Sequence, residues 1–128
     1  MILLDTCALL WLASDSPELS EAARAAIREH SGMLGCSAIS FWEIGLKQAK
    51  GRLKLPLALG EWIDRVLARH GIDVLPVGTR FAVSAAELPP IHADPADRFI
   101  VATAMATGRT ILTPDTHIRD YPDVRVIW

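Results

Sequence analysis

Short hydrophobic segments alternate with longer amphipathic segments along the whole chain. Five hydrophobic segments are predicted as β-strands, at residues 2–4, 33–36, 72–77, 110–113 and 124–127. Hydrophobic residues spaced three and four apart predict helices at about residues 7–13, 17–27, 37–50, 59–70, 79–88 and 96–107. Because parallel strands need long crossover connections, this α/β alternation predicts a mostly parallel sheet of four to five strands between helical layers, an α/β/α sandwich.

Residues that commonly begin or end helices support these boundaries. Ser16 followed by Pro17 is typical of an N-cap with proline in the first helical position, so we expect the second helix to begin there. Ser37 is predicted to cap the third helix. Gly51 and Gly108 are typical of the residues that end helices.

The composition indicates one globular domain that covers residues 1–128. Hydrophobic residues make up 51% of the 128 residues and charged residues 22%, which excludes a disordered chain. No segment approaches the ~18 uninterrupted hydrophobic residues of a membrane span, and no signal peptide is apparent, so we expect a cytoplasmic protein. Cys7 and Cys36 are too few for a disulfide framework, and we expect both to be buried free thiols.

Four carboxylates stand at unusual positions in this pattern. Asp5 and Asp115 follow the first and fourth predicted strands, and ligands bind at the carboxyl ends of strands in parallel sheets. Glu43 lies within a helical stripe that contains Ile39, Trp42 and Leu46, and Asp97 precedes Ile100, Val101 and Ala104 on a hydrophobic helix face. An unpaired buried carboxylate is unfavourable, so these acids are expected to have partners.

Each of these acids also has a purely structural interpretation. An acid at the end of a strand is often the N-cap of the next helix. Lys47, four residues after Glu43, can pair with it along the helix. Asp97 can favour the helix dipole in the first turn, with Asp94 as N-cap and Pro95 in the first helical position.

Convergence of the four acids at one sheet edge would require a cation, because carboxylates in close proximity repel one another. Oxygen ligands select hard cations, so Mg²⁺ or Mn²⁺ is expected. Such ions activate water and stabilise the leaving oxygen in displacement at phosphorus, which indicates a phosphodiesterase or nuclease.

The net charge of −2 gives no basic excess for nucleic acid, but acids that bind cations would leave the rest of the surface slightly basic.

Several motifs in order along the chain resemble those of the PIN-domain ribonucleases, specifically the VapC-like toxins of bacterial toxin–antitoxin pairs. The resemblance covers nearly the whole chain. It is carried by LLDT with ALLW (3–6 and 8–11), SAISFWEI (37–44), KGRLKLP (50–56), LPPIHADPADR (88–98) and LTPD (112–115). It implies an α/β/α fold, Mg²⁺- or Mn²⁺-dependent endoribonuclease activity on RNA, a homodimer, and inhibition by a cognate VapB-like antitoxin.

The resemblance also assigns roles to individual residues. Asp5, Glu43 and Asp97 match the three core metal-binding carboxylates of the family, and Asp115 matches a more variable fourth acid. The motif Asp-Pro-Ala-Asp leaves open whether Asp94 also contacts metal, and Asp97 is preferred because it leads the hydrophobic helix face.

The resemblance also places the hydroxyls of Thr6 and Thr113 where a hydroxyl often supports the metal or its water.

Other candidates have a functional and a structural interpretation. His92 can contact substrate or pack in its loop, whereas His30, His70 and His117 have no partner pattern and are expected at the surface. Arg98 can contact a phosphate or pair with a carboxylate.

Basic and aromatic residues are equally ambiguous. The basic cluster of Lys50, Arg52 and Lys54 can contact RNA or form a solvated turn. Three tryptophans on helical stripes are expected in the core or an interface: Trp11, Trp42 and Trp62.

Two other functions compete with a toxin nuclease. A phospho-accepting receiver domain also has an acidic Mg²⁺ pocket, but it needs a lysine beyond a late strand, and all three lysines here lie between residues 47 and 54. A catalytically inactive module could use the acids only to bind an antitoxin arginine, although the complete set of acids argues against degeneration.

Overall fold

The computed structural model describes all of residues 1–128. The five strands are β1 (Ile2–Leu4), β2 (Leu34–Ser37), β3 (Ile72–Leu75), β4 (Thr110–Leu112) and β5 (Val126–Ile127). The seven helices are α1 (Thr6–Ala13), α2 (Glu21–Glu29), α3 (Ala38–Ala49), α4 (Leu59–His70), α5 (Thr79–Glu87), α6 (Pro95–Thr107) and α7 (Thr116–Arg119). None of the helices has the length and hydrophobicity that a membrane-spanning helix requires.

The strands form one sheet in the order β3-β2-β1-β4-β5, and every neighbouring pair is parallel. Leu4 in the central strand β1 pairs with Cys36 of β2 and Leu112 of β4. The three strands therefore reach the same edge of the sheet together. This register places the residues that follow them, Asp5 and Thr113 among them, side by side.

Alternating residues of β1 contribute to two separate hydrophobic cores. Ile2 and Leu4 belong to a core that includes buried residues of α1, α2, α3 and α4. Leu3 belongs to a second core with Ile100 and Val101 of α6 and Ile118 of α7. Helices thus cover both faces of the sheet, and the predicted α/β/α sandwich is confirmed, with a sheet that is wholly parallel.

The predicted start of the second helix was wrong. α2 begins at Glu21, and its N-cap is Ser20, whose hydroxyl oxygen accepts a hydrogen bond from the Ala23 N–H at 3.0 Å. Ser16 instead accepts from the N–H of Glu18 at 3.1 Å, which forms a local turn. A serine hydroxyl stabilises such turns as readily as a helix cap, so Ser16 and Pro17 could be read either way.

The other predicted caps agree with the structure. Ser37 caps α3 by accepting from the N–H of Ile39, and Asp94 caps α6 with Pro95 in the first turn. Gly108 ends α6 with a φ of 67°, a left-handed conformation that glycine adopts without strain. The short helix α7 was not predicted, because four residues are too few to show a helical periodicity.

Candidate active site

A cleft of about 340 Å³ opens at the carboxyl edge of the sheet. It contains all four of the acids singled out in the sequence together with Asp94. The lining residues are Asp5, Thr6, Cys7, Glu43, Lys47, Asp94, Asp97, Pro114 and Asp115. Five carboxylates from four separate parts of the chain therefore share one small cleft.

Asp5 is both a helix cap and a member of this acidic cleft. It follows β1, is 3% exposed, and accepts the N–H of Ala8 on Oδ1 at 2.7 Å, which caps α1. Its other oxygen, Oδ2, accepts a hydrogen bond from the hydroxyl of Thr113. Burial raises the pKa of Asp5 to about 6, against the opposing effect of these hydrogen bonds, and the charges of Asp115 and Glu43 raise it further.

The two threonines of the predicted site have different roles. The Thr113 hydroxyl is fully buried, donates to Asp5, and accepts the N–H of Asp115 at 3.0 Å. It therefore fixes two acids relative to each other. The hydroxyl of Thr6 instead donates to the buried Oγ of Ser40 at 3.0 Å, which ties the start of α1 to α3.

Glu43 reaches the cleft, but the reasoning that selected it was partly wrong. The buried residues of α3 are Ser40 and Ile44, whereas Trp42 is 55% exposed, so the stripe that contains Glu43 is not a core face. Glu43 is half-buried because it faces the acidic cleft. The structural alternative, an ion pair with Lys47, is not observed: both residues line the cleft, but no ion pair joins them.

Asp97 lies in the first turn of α6, and its side chain is 17% exposed. The face that it leads continues into Ile100, which is fully buried, as the sequence pattern predicted. Burial raises the pKa of Asp97 to about 7, and the neighbouring charge of Asp94 contributes to the shift, against a lowering effect of His92. Asp94 accepts the N–H groups of Ala96 and Asp97 at 2.9 and 3.3 Å, so the capping role is observed for Asp94.

His92 connects two of the acids, a relationship that the sequence did not reveal. Its Nε2 lies 2.8 Å from Oδ2 of Asp115 and 3.0 Å from Oδ2 of Asp97. Its Nδ1 accepts the N–H of Asp94 at 3.1 Å, so the proton of the neutral ring is on Nε2, facing the carboxylates. Burial lowers the pKa of His92, but the hydrogen bond to Asp115 and the surrounding acidic charges outweigh burial and raise it.

Asp115 caps α7 and also contacts two histidines. Its Oδ1 accepts the N–H of His117 at 2.8 Å, and the Nδ1 of His117 lies 3.4 Å from the same oxygen. The rings of His117 and His92 meet edge to face, with centroids 5.4 Å apart. The pKa of Asp115 is lowered, because the hydrogen bonds from His92 and His117 exceed the effect of burial. His117 is exposed as predicted, but the expectation that it lacks a partner was wrong.

Arg98 supports the loop before α6. One interpretation of the sequence paired it with a carboxylate, and that pair is not formed. Its guanidinium donates to the carbonyl oxygens of Ala85 at 2.8 Å, Leu88 at 2.9 Å and Pro89 at 3.0 Å. Ala85 lies near the end of α5, and Leu88 and Pro89 lie between α5 and His92. Arg98 therefore positions the segment that carries His92.

The two cysteines differ from each other. Both are free, and Cys36 is buried as predicted, but Cys7 is half-buried and lines the acidic cleft. Burial, with a contribution from the charge of Asp5, raises the pKa of the Cys7 thiol to about 11. A thiol with this pKa stays protonated at neutral pH and is not an activated nucleophile.

A groove of about 290 Å³ adjoins the acidic cleft and shares Glu43, Lys47 and Asp94 with it. Lys50 and Arg52 line the groove together with the exposed ring of Trp42, so of the two places expected for this tryptophan, the core or an interface, the structure excludes the core. Lys54, the third member of the predicted basic cluster, lies outside the groove.

The other two tryptophans pack within the fold as expected. Trp62 is buried in the first core, and Lys54 lines a separate depression together with it. Trp11 packs against Trp128, with ring centroids 5.6 Å apart.

Comparison with known proteins agrees with this fold. The PIN domain family profile matches residues 2–124, and the chain belongs to this family. Among individual proteins, the ribonuclease VapC22 of Mycobacterium tuberculosis is 32% identical over 127 residues, which are 98% of this chain and 95% of that protein. The resemblance inferred from the motifs is therefore confirmed.

Solved structures share the architecture. The FitAcB structure from Neisseria gonorrhoeae has a TM-score of 0.66 and 25% identity, with 98% of this chain and 96% of that chain aligned. VapBC2 from Rickettsia felis, bound to a promoter DNA fragment, has a TM-score of 0.71 and 15% identity over 98% of this chain and 97% of that chain. The overall fold of the chain is thus that of these proteins.

Proposed function

We propose that the chain is a metal-dependent endoribonuclease toxin that hydrolyses RNA phosphodiester bonds and is neutralised by a VapB-like antitoxin. The observation that carries this proposal is the meeting of Asp5, Glu43, Asp97 and Asp115 in one cleft. Membership of the PIN-domain family and the 32% identity to a ribonuclease support the same activity.

The donor set of the cleft fits a hard divalent cation. It is made of carboxylates, and no lysine or arginine forms an ion pair with any of the four acids. Burial is the main cause that raises the pKa values of Asp5 and Asp97, and neighbouring acids raise them further, so a cation in the cleft would favour their charged forms. Asp5, Glu43, Asp97 and Asp115 would hold Mg²⁺ or Mn²⁺, which supplies activation of water and charge stabilisation at phosphorus.

The surrounding residues keep the acids in position before any cation binds. The Ala8 N–H and the Thr113 hydroxyl hold the two oxygens of Asp5, so its carboxylate has one orientation. The N–H of His117 and the ring of His92 do the same for Asp115. Preorganisation of this kind avoids a reorganisation penalty when the site is used.

The basic groove beside the cleft is a suitable path for the RNA backbone. Lys47, Lys50 and Arg52 provide positive charge along a groove that opens directly onto Glu43. Phosphates attract such side chains without regard to sequence. The exposed ring of Trp42 offers a face on which an unpaired base can stack, as is common in single-strand binding proteins.

An antitoxin partner and a homodimer are part of the proposal. Several structural neighbours are toxin–antitoxin complexes, among them VapBC of Salmonella typhimurium bound to DNA and a complex from Klebsiella pneumoniae. The receiver-domain alternative loses support because the lysine that lines the cleft, Lys47, lies on α3 and not after a late strand. A cleft with preorganised acids also argues against an inactive binding module.

The proposal is tested by incubating the purified chain with RNA, and separately with DNA of the same sequence, in EDTA, Mg²⁺ or Mn²⁺. We expect cleavage of RNA with either metal, no cleavage in EDTA, and a loss of at least about 100-fold in Glu43→Gln. Glu87→Gln, a substitution on α5 outside the cleft, is the matched control. Absence of RNA cleavage with both metals, or equal cleavage by Glu43→Gln, would overturn the proposal.

A further inference from the structure

Lys47 is the only positively charged residue that lines the acidic cleft, and it also lines the basic groove beside it. The cleft and the groove share three residues, and the other two, Glu43 and Asp94, are acids. Lys50 and Arg52 line the groove but not the cleft. Lys47 therefore stands where a strand of RNA would pass from the groove to the acids.

The position of Lys47 on α3 directs its side chain towards the cleft. The helix begins directly after β2, so its amino end lies at the carboxyl edge of the sheet, where the acids are. Side chains on a helix lean towards its amino end. Glu43 and Lys47 are four residues apart, so they lie on one face of the helix, about 6 Å apart along its axis. The ammonium of Lys47 accordingly reaches the part of the cleft next to Glu43.

The ammonium of Lys47 has no partner acid in the chain. None of the ion pairs includes it, although Glu43 lies one helical turn away. Its positive charge nevertheless acts within the cleft: burial is the main cause that raises the pKa of the Cys7 thiol, and the charge of Lys47 opposes that rise. A half-buried ammonium that no acid of the chain engages can donate to an anion that enters the cleft.

The anion that fits this position is the phosphate of the RNA bond that is cleaved. It must lie at the acids, because they are proposed to hold the cation that cleavage requires. Five carboxylates line the cleft, and their charge repels a phosphate unless positive groups offset it. The transition state of phosphoryl transfer carries negative charge on the oxygens of that group, and a positive side chain already in place stabilises it.

We propose that Lys47 is a catalytic residue, which contacts a non-bridging oxygen of the reacting phosphate and stabilises its charge in the transition state. This inference rests on the proposed function. In hydrolysis, the oxygen of water forms a bond to phosphorus, and the bond from phosphorus to one sugar oxygen breaks. The proton that water loses and the proton that the sugar oxygen gains are exchanged with solvent, so Lys47 keeps its own protons. Lys50 and Arg52 bind phosphates farther along the RNA.

Two other roles for Lys47 make different predictions. As one more groove residue, it would contribute to RNA binding but not to the rate of bond cleavage. As a counter-ion that keeps the acids together, it would be needed for metal binding.

The three lysines of the chain allow identical substitutions to be compared. Lys47 lines both the cleft and the groove, whereas Lys50 lines the groove only. Lys54 lines neither, so Lys54→Met is the matched control for Lys47→Met. Each substitution removes one positive charge and keeps an unbranched side chain.

The first experiment measures cleavage of a short single-stranded RNA in Mg²⁺, with the protein in excess over RNA. The maximal rate then reports bond cleavage, and the protein concentration at half of that rate reports RNA binding. We expect the maximal rate of Lys47→Met to fall at least about tenfold. Lys50→Met should mainly raise the protein concentration that is needed, and Lys54→Met should match the wild type. A smaller fall in the maximal rate of Lys47→Met would overturn the inference, even if RNA binding is weakened.

The second experiment measures Mn²⁺ binding by electron paramagnetic resonance without RNA. Removal of a positive charge beside the acids favours a bound cation, so we expect Lys47→Met to bind Mn²⁺ at least as tightly as the wild type. Weaker Mn²⁺ binding in Lys47→Met would show that the lysine acts through the acids, and it would overturn the catalytic role. Absence of RNA cleavage by the wild type contradicts the proposed function, whereas equal maximal rates of the wild type and Lys47→Met contradict this inference alone.

Discussion

Thr113 donates a hydrogen bond to the carboxylate of Asp5 and joins the ends of β4 and β1, which are 108 residues apart in the sequence. The same hydroxyl oxygen accepts the N–H of Asp115 at 3.0 Å. One buried side chain therefore sets the relative positions of two of the four acids. The alignment of strand ends in the parallel sheet makes this contact possible.

Replacement of the Thr113 hydroxyl is expected to weaken both the fold and the site. Thr113→Val leaves Oδ2 of Asp5 and the N–H of Asp115 without their partner, and an unsatisfied buried polar group costs about 1–3 kcal/mol. We expect the free energy of unfolding in urea to fall by about that amount and RNA cleavage to fall roughly tenfold. Thr113→Ser retains the hydroxyl and should stay near wild type. A Val variant with wild-type stability and activity would contradict this role.

Loss of the Arg98 guanidinium is expected to loosen the segment before His92. Lysine cannot reproduce the planar set of donors that reaches Ala85, Leu88 and Pro89. We expect Arg98→Lys to lower the free energy of unfolding by about 2 kcal/mol and to speed amide exchange across residues 85–92. Arg80→Lys, at an exposed position of α5, is the control. Unchanged exchange and stability in Arg98→Lys would show that these hydrogen bonds are not needed.

Without metal, the protein should be more stable in mild acid than at alkaline pH. Both acids have a pKa of 3.8 in the unfolded chain, and the folded protein raises it to about 6 for Asp5 and to about 7 for Asp97. At pH values between these limits, the folded state holds protons that the unfolded state has lost. Stability therefore falls as pH rises through this range, by about 1.4 kcal/mol for each unit of pKa shift and by several kcal/mol in total. The raised pKa of His92 acts in the same direction, because its stabilising contribution is lost as pH rises through the folded value.

Thermal unfolding in EDTA measures this dependence, and we expect Tm to fall by several degrees between pH 5 and pH 8. The lowered pKa of Asp115 acts only below its unfolded value of 3.8, outside this range. Added Mn²⁺ should raise Tm more at pH 8 than at pH 5, because protons compete with the metal for the acids. A Tm in EDTA that rises with pH would contradict the account of the acidic cleft.

Charge reversal in the groove should weaken RNA binding more than the chemical step. We expect Lys50→Glu/Arg52→Glu to raise KM for RNA about tenfold at low salt, to change kcat little, and to reduce the salt dependence of KM. Lys54→Glu makes half the change in charge and is the control, since Lys54 belongs to the same basic segment but lines a different depression. Equal effects of the double variant and of Lys54→Glu would show that the overall charge of the protein, and not the position of these residues in the groove, determines KM.

The parts of the site that lie at strand ends were predictable from the sequence. Asp5 and Asp115 follow hydrophobic strands, and parallel strands bring their carboxyl ends to one edge whatever the details of packing. Asp97 was identified by the hydrophobic helix face that it leads. Glu43 was selected with a mistaken view of α3, because Trp42 looked like a core residue and is exposed beside the groove.

The contacts that depend on tertiary distances were not predictable. His92 lies 23 residues from Asp115 in the sequence, and no local pattern links the two. The sequence left open whether Arg98 contacts a phosphate or pairs with a carboxylate, but its guanidinium donates to carbonyl groups at the end of α5 and in the loop that follows. The helix α7 is fixed by its Asp115 cap and by burial of Ile118, neither of which produces a periodic signal.

The carboxylates of the cleft are proposed to bind the cation that RNA cleavage requires. The most direct test titrates Mn²⁺ into one set of samples and measures bound metal by electron paramagnetic resonance and RNA cleavage in parallel. We predict that the two curves coincide for the wild type. Asp5→Asn retains an oxygen to cap α1, so we predict that its circular dichroism spectrum is unchanged. Both metal binding and RNA cleavage should fall by at least about 100-fold in this variant. Folded Asp5→Asn protein that binds Mn²⁺ and cleaves RNA like the wild type would contradict the claim.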